Sequence, residues 1–519
     1  MAILKKNSTF FLFLSVLTIA VFFRFWKIET IPYGLNNDAA WEGLAAIEIL
    51  KGNISNYLPY AAEGWRGEGI SRLLTAFFMT LFGNNPVTIR LATDIFGVGL
   101  VIAVFFLIKR LFNEKLALLT SFFIAISGWH ITFSKSGWRA VTVPFFTTLL
   151  FYFFFRGLES KKRIHFILSG VMLSLVSLYT YDAARIIPVF FITWLVFESL
   201  SKKSFLKNYG KQIFALFISA FIVSLPMLYY ALNNWENFTS RSNFLFVGNE
   251  ISKAENISPL INNIITSALL FNVSGNGNDF FIFEPLVDKL VSWLLPIGLI
   301  ITIYFIIIKK DKKYFFMLIW LISSLVPGIL SVPNGNRAIG VIPSIYFLAA
   351  VGLLYPAQFA LKRIKNKIAA HVIYILIFLI CASGAISTYH DYLGPNRREL
   401  AGFYPETLVI TNYIKTVWNN YDIYITDNYP RELLTYYLYK EGKDAFTKNY
   451  TWLDNSESFL SLSKTNQNHG YAFFMFATPE NEETAIELKR KFPNSKKFYL
   501  WYTNNNIARP ASLVVLTKP

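Results

Sequence analysis

The sequence is poor in cysteine, histidine and charge. Cys381 is the single cysteine and lies inside an apolar run, so neither a disulfide framework nor a cysteine-based metal centre is available. None of the five histidines stands at ligand spacing from another histidine or a cysteine, so no metal and no cofactor is expected. Only 16% of the residues are charged, where a soluble domain carries about 25%. Acidic residues are nearly absent from the long apolar runs, and there is no internal repeat of the kind that marks many transporters. What remains is apolar: 54% of the 519 residues are hydrophobic, 18% are aromatic, and the mean hydropathy is +0.41. Such a composition describes a polytopic α-helical membrane protein.

The net charge of +17 would suit a nucleic-acid binder, but the basic residues sit in short clusters between apolar spans. That layout follows the positive-inside rule rather than a face that tracks phosphates, so no nucleic-acid partner is expected. The N-terminal Lys5-Lys6 followed by the run from Phe10 to Phe23 resembles a signal peptide. No small-x-small cleavage site follows it, so a retained first helix with a cytoplasmic N-terminus is the expectation.

Apolar runs near membrane-spanning length fall at about 9–26, 89–108, 116–133, 141–156, 165–181, 186–200, 213–232, 290–308, 314–331, 338–356 and 370–388. The run from Ile70 to Phe82 is short for a crossing and suits an interfacial or re-entrant helix. Eleven spans then place Lys109-Arg110, Lys161-Lys162-Arg163, Lys202-Lys203, Lys309-Lys310 and Lys362-Arg363 on one side; twelve or thirteen are the alternatives. Residues 1–390 form the membrane domain on this reading, with a first outer loop at 27–72 and a large outer loop at 233–288. Residues 391–519 alternate strand-like runs (422–426, 471–478, 497–503, 512–516) with helical ones (406–419, 431–439, 482–492), which predicts a small extracytoplasmic α/β domain. This domain has no Gly-rich phosphate loop, which argues for an accessory role and against a nucleotide site.

The outer segments are rich in groups that chemistry uses. Asp38, Glu42, Glu48, Glu63 and Glu68 crowd the first loop, where carboxylates beside a membrane cost desolvation energy. The short outer turns add His130, Arg139, Asp182, Arg185 and Arg337 on the same side. Arginine forks bind phosphate oxygens bidentately, and a carboxylate deprotonates an incoming hydroxyl. Together these groups suit a phosphate-linked donor handled at the outer face. Asp38 suits a helix N-cap equally well. Glu42 and Glu48 are expected to be solvated, His130 suits an interfacial anchor, and the arginines suit snorkelling helix ends, although positive charge outside runs against the usual bias.

The order of these motifs resembles a known family. The pattern from Pro32 through Asp38-Ala-Ala-Trp41 to Lys51-Gly52, then Arg66-Gly-Glu68, Leu81-Phe-Gly83 and Ile89-Arg90-Leu91, is similar to bacterial dolichyl-phosphate-mannose protein mannosyltransferases. That family includes the aminoarabinose lipid A transferases. Ser134 to Arg139, Tyr181 to Arg185, Asn233 to Arg241, Gly275 to Asn278 and Asn336 to Pro343 extend the resemblance over about residues 1–390. It implies a GT-C, glycosyltransferase family 39-like fold and an inverting, single-displacement transfer from a polyprenyl-phosphate sugar. It also implies Asp38 as the acceptor-activating base, Glu68 as a second acidic residue shaping the site, and Arg337 near the donor phosphate. Ala39 departs from the pattern, since many relatives place a second carboxylate there, and that role is then absent or moved to Glu42. The acceptor (lipid, polysaccharide or protein) and the sugar are not encoded in any motif. The competing readings are a transporter or flippase for a lipid-linked sugar and an inactive assembly subunit.

Overall fold

The computed structural model describes residues 2–52, 69–277, 284–364, 366–394, 402–426, 429–439, 450–453, 455–461, 470–504 and 507–517. They form two compact units. One comprises Met1–Ile28 and Ala45–Gly394; the other joins Glu29–Leu44 to Pro395–Pro519. The front of the first outer loop therefore groups with the C-terminal domain. Gly34 explains the attachment within that unit: its φ is +87°, and a Cβ there would lie 2.0 Å from the Phe403 carbonyl oxygen. The Tyr33 ring also lies 6.4 Å from that of Tyr502.

The first unit is helical. α1 (Ala2–Phe25) precedes α2 (Asn37–Leu50), whose first turn belongs to the second unit, and α3 (Gly69–Phe82). α4 (Pro86–Leu111) starts where Asn85 accepts from the Val87 amide and Pro86 occupies the first turn. Asn113 caps α5 (Glu114–Ala125), and Ser127 caps α6 (Gly128–Lys135) by accepting from the His130 amide. The expected single span 116–133 is thus two helices, bent by 55° between α5 and α6. Then follow α7 (Thr142–Ser160), α8 (Arg163–Leu178), α9 (Ile187–Ser201), α10 (Phe205–Asn233), and three shorter helices, α11 (Trp235–Leu245), α12 (Val247–Ala254) and α13 (Ser258–Leu269). α14 (Lys289–Ser292), α15 (Leu294–Ile307), α16 (Lys312–Ile329), α17 (Ile342–Arg363) and α18 (Lys367–Tyr392) complete the unit.

Among the described residues seven helices are long and apolar enough to cross a membrane, eight with the bent pair, and four more apolar helices are shorter. α3 is one of the four, and its 14 residues rise only about 21 Å, less than the ~30 Å hydrocarbon core. Its Arg72, Thr75 and Met79 are buried while Phe77 and Leu81 face outward. α17 is the central post, with 89% of its apolar window buried. It meets α15 at two glycines: a Cβ on Gly298 would lie 1.9 Å from the Leu348 carbonyl oxygen, and one on Gly352 2.1 Å from that of Leu294. An aromatic cluster of Phe151, Phe190, Trp194, Phe316 and Trp320 packs α7, α9 and α16 together.

The second unit is built on a five-stranded sheet in the order β2-β1-β3-β5-β4. β1 (Tyr421–Thr426) pairs in parallel with β2 (Tyr450–Leu453) and with β3 (Gly470–Met475). β4 (Lys496–Asn504) and β5 (Ile507–Leu516) form a hairpin, and β5 runs antiparallel to β3. α19 (Pro405–Val417), α20 (Arg431–Leu438) and α21 (Pro479–Lys491) lie where helical patterning was expected. β2 was not expected, because its four residues are too few to show a period. β3 is buried at every position, as a strand covered on both faces must be. Ile410, Ile425 and Phe474 lie in the core on one face; Phe473, Leu488 and Val515 lie in the core on the other.

Candidate functional site

The helical unit brings three arginines together at one cavity. A 3-10 turn, Asp182–Ile186, carries Asp182 and Arg185 just ahead of α9. The Arg185 Nη2 lies 3.1 Å from Asp182 Oδ1, and its Nη1 donates to the Phe238 carbonyl at 3.2 Å. The guanidinium also stacks 4.2 Å from the Phe238 ring centroid, which fixes its plane. Arg337 reaches the same space from the turn after α16, held by its own amide donating to Asn334 Oδ1 and its Nη1 donating to the Val332 carbonyl at 2.7 Å. Arg241, on α11, completes the set.

These residues line a cavity of about 330 Å³. Its charged wall is Asp182, Arg185, Arg241 and Arg337; its apolar wall is Leu245, Phe246, Val326, Pro327 and Leu330. Arg241 makes no hydrogen bond or ion pair among the described residues, and Arg337 meets only backbone and amide oxygens. Three cations against one carboxylate leave a surplus of positive charge, arranged beside a greasy surface. That combination matches a phosphate esterified to a hydrocarbon chain.

The turn that presents Arg337 is pinned from the large loop. Asn276 donates to the Pro333 carbonyl at 2.8 Å, and Asn263 donates to the carbonyls of Ile329 and Ser331. The Val247 amide donates to the Leu330 carbonyl. Asn336 donates to the Tyr181 hydroxyl at 2.9 Å, and the Arg139 guanidinium lies 5.9 Å from the Tyr181 ring. Arg139 is buried and stands behind the cavity wall rather than in it.

His130 takes another place. It is fully buried, and its Nδ1 lies 2.8 Å from Arg24 Nη2. A guanidinium only donates, so Nδ1 accepts and the ring proton sits on Nε2. Arg24 also donates to the carbonyls of Ala20, Ile124 and Ala125, the last two being the open C-terminal end of α5. Lys135 donates to the carbonyls of Arg24 and Trp26, which close α1. Asp94 of α4 is fully buried within the field of Arg24, Arg90 and Lys135. Its two oxygens have no hydrogen-bond partner among the described residues.

Asp38 lies in the other unit, half-buried in the first turn of α2. It is not the helix cap, since Asn36 Oδ1 accepts from the Ala39 amide at 2.8 Å. Glu42 is buried at 1% exposure, which corrects the expectation of a solvated side chain. Glu48 is an ordinary helix-surface residue paired with Lys51. Glu63 and Glu68 fall outside the described residues. Among the described residues no group of three histidine, cysteine or acidic side chains stands together as a metal site.

Residues 70–230 match the family model of dolichyl-phosphate-mannose-protein mannosyltransferases. No curated protein matches the chain in sequence. The fold is similar to ArnT from Cupriavidus metallidurans in the apo state, at 14% identity over 99% of this chain and 100% of that one, with a TM-score of 0.60. The same enzyme bound to undecaprenyl phosphate gives 13% identity, full coverage of both chains and a TM-score of 0.57. The archaeal oligosaccharyltransferase AglB from Archaeoglobus fulgidus, in complex with an inhibitory peptide and a dolichol-phosphate, gives 13% identity over 98% of this chain and 74% of that one, with a TM-score of 0.55. The chain therefore has a GT-C fold with a small C-terminal sheet domain, as the order of its motifs over about residues 1–390 implied.

Proposed function

We propose that this multi-pass membrane protein, with a GT-C fold and a mannosyltransferase sequence pattern over residues 70–230, transfers a sugar from a polyprenyl-phosphate donor to a hydroxyl acceptor. The observation that carries the reading is the cavity in which Arg185, Arg241 and Arg337 meet an apolar wall. The donor phosphate sits among the three guanidiniums, and the first isoprene units lie against Leu245, Phe246 and Leu330. Asp38 takes the proton from the acceptor hydroxyl as its oxygen attacks the anomeric carbon. The bond from that carbon to the phosphate oxygen breaks, and the arginines stabilise the phosphate that departs. One displacement inverts the anomeric configuration. Glu68 shapes the acceptor side. Arg139 acts behind the cavity by holding Tyr181, and His130 contributes to the frame rather than to the substrate. On this reading the cavity opens on the extracytoplasmic side of the cell membrane, and residues 391–519 form an accessory domain there.

The test is sugar transfer by the purified protein in proteoliposomes, supplied with a polyprenyl-phosphate sugar and candidate lipid, polysaccharide or peptide acceptors. Wild type is expected to form glycosylated product, and Asp38→Asn to form none while remaining monodisperse and correctly folded. Full transfer by that variant would remove Asp38 as base. Donor movement between leaflets without product would instead favour a flippase.

A further inference from the structure

A second cavity shares no residue with the arginine cavity. It is a groove of about 530 Å³ along the seam of α8 and α10. Arg163 and Ile167 line it from α8; Lys211, Phe214, Ile218 and Ile222 line it from α10. The α10 positions recur at intervals of three and four, so they form one stripe of that helix.

The two helices run in the same direction and are clamped by small residues. A Cβ on Gly170 would lie 2.1 Å from the Leu216 carbonyl oxygen, and Ser219 donates to the Ile167 carbonyl at 3.0 Å. Ser174 and Ser224 hydrogen-bond at 2.8 Å further along. Beside this tight seam the apolar stripe is left uncovered: Phe214 is 67% exposed and Ile222 57%. Both cations lie toward one end. Arg163 is the first residue of α8, and Lys211 is two turns into α10. Neither makes a hydrogen bond or ion pair among the described residues. The nearby carboxylates are engaged elsewhere, Glu159 with Arg110 and Glu198 with Lys202. Lys161, Lys162, Lys203 and Lys207 add further positive charge around the same helix starts.

We propose that this groove binds one anionic phospholipid of the surrounding bilayer. Its phosphate bridges Arg163 and Lys211, and one acyl chain lies along Ile167, Phe214, Ile218 and Ile222. Length supports the assignment. From position 211 to position 222 the helix rises about 16 Å, close to half of the ~30 Å hydrocarbon core, which is the depth of one acyl chain in one leaflet. Charge selects the headgroup: a zwitterionic lipid brings a cation of its own toward two unpaired cations, whereas an anionic one does not. The site is separate from the arginine cavity and does not depend on the reading of the protein as a glycosyltransferase.

Native mass spectrometry of the full-length protein in detergent tests this, with phosphatidylglycerol and phosphatidylcholine of identical acyl chains added in turn. Each cation is expected to favour the anionic lipid about fivefold, so wild type retains phosphatidylglycerol at about 25-fold lower concentration than phosphatidylcholine. Arg163→Gln/Lys211→Gln loses that preference, while Lys161→Gln/Lys162→Gln keeps it. Ala215→Trp, which fills the groove and leaves both cations, weakens retention of both lipids. Thermal melting in the same detergent confirms that each variant is folded. Equal retention of the two lipids by wild type, or equal loss in both double variants, would overturn the site. Displacement of phosphatidylglycerol by a polyprenyl phosphate at lower concentration would overturn the choice of occupant.

Discussion

Replacing Arg241 by glutamine separates binding of the donor from maintenance of the fold. The three arginines of the cavity differ in what else they hold. Arg185 pairs with Asp182, donates to the Phe238 carbonyl and stacks on the Phe238 ring, so its loss disturbs both α11 and the turn before α9. Arg337 closes its own turn through the Val332 carbonyl. Arg241 has no such engagement, so its removal leaves no protein group unsatisfied. A charge-assisted hydrogen bond contributes about 1.5–3 kcal/mol, and 1.4 kcal/mol is a factor of ten in affinity. Arg241→Gln should therefore raise the KM for the polyprenyl-phosphate donor about 10- to 150-fold. The melting temperature and the KM for acceptor should stay unchanged. Steady-state transfer in proteoliposomes with the donor titrated at saturating acceptor gives the split. A folded Arg241→Gln protein with wild-type donor KM would refute the placing of the phosphate in this cavity.

Asp38→Asn should lower kcat about 10²- to 10⁴-fold, the usual size of a general-base contribution, with the donor KM little changed in the same assay. Gly298→Ala drives a methyl into the Leu348 carbonyl and should destabilise the protein by about 1–3 kcal/mol, seen as a lower melting temperature. Gly210→Ala, where nothing lies within 4 Å, should be neutral or stabilising by about 0.5–1 kcal/mol. Burial raises the Glu406 carboxyl above its ordinary 4.5, so the folded state holds a proton that the unfolded chain has released. Stability of α19 thus falls as pH rises through the window just above 4.5, and Glu406→Gln should slow its hydrogen exchange at neutral pH but not at pH values below that window. Arg24→Met orphans the Ala125 carbonyl and His130 Nδ1, leaves the Ile124 carbonyl only its backbone amide donors, and should cost about 3–5 kcal/mol, read as loss of folded protein on purification.

The sequence made some of this legible and hid the rest for identifiable reasons. Hydropathy located the apolar helices because a bilayer demands length and excludes charge, but seven or eight of them among the described residues, not eleven, have the length and apolarity of a span. The C-terminal strands of six or more residues showed their pattern, whereas β2, with four, did not. Asp182, Arg185 and Arg337 were visible because charged residues in short turns between apolar spans are unusual. Arg241 was hidden by its setting, since an arginine within the polar helix α11 looks like an ordinary solvated residue. Its neighbour Phe238 is the signal that was available, because an aromatic three positions away forms the platform for Arg185. Asp94 is hidden for the opposite reason: a single acid inside a long span reads as noise until Lys135 and Arg24, 41 and 70 positions away in the chain, are known to join Arg90 around it.

That buried cluster explains how the cavity is built. The bend between α5 and α6 leaves the Ala125 carbonyl without a helical partner and the Ile124 carbonyl with only the short-turn amides of Ile126 and Ser127, in a region where water is scarce. Arg24 supplies the missing donors from α1, and Thr388 of α18 donates to the Ile126 carbonyl. Tyr346 of α17 donates to the hydroxyl of Ser127, which in turn caps α6. With its start capped and its Lys135 tied to the end of α1, α6 has a fixed direction, and the chain beyond it brings Arg139 to the Tyr181 ring. Tyr181 receives the Asn336 amide, and the turn that contains Asn336 aims Arg337 into the cavity. The position of Arg337, which the proposed function assigns to the donor phosphate, thus depends on donors placed in three other spans. Substitutions at Arg24, Ser127 or Lys135 should accordingly weaken donor binding even where the protein still folds, although none of these residues lines the cavity.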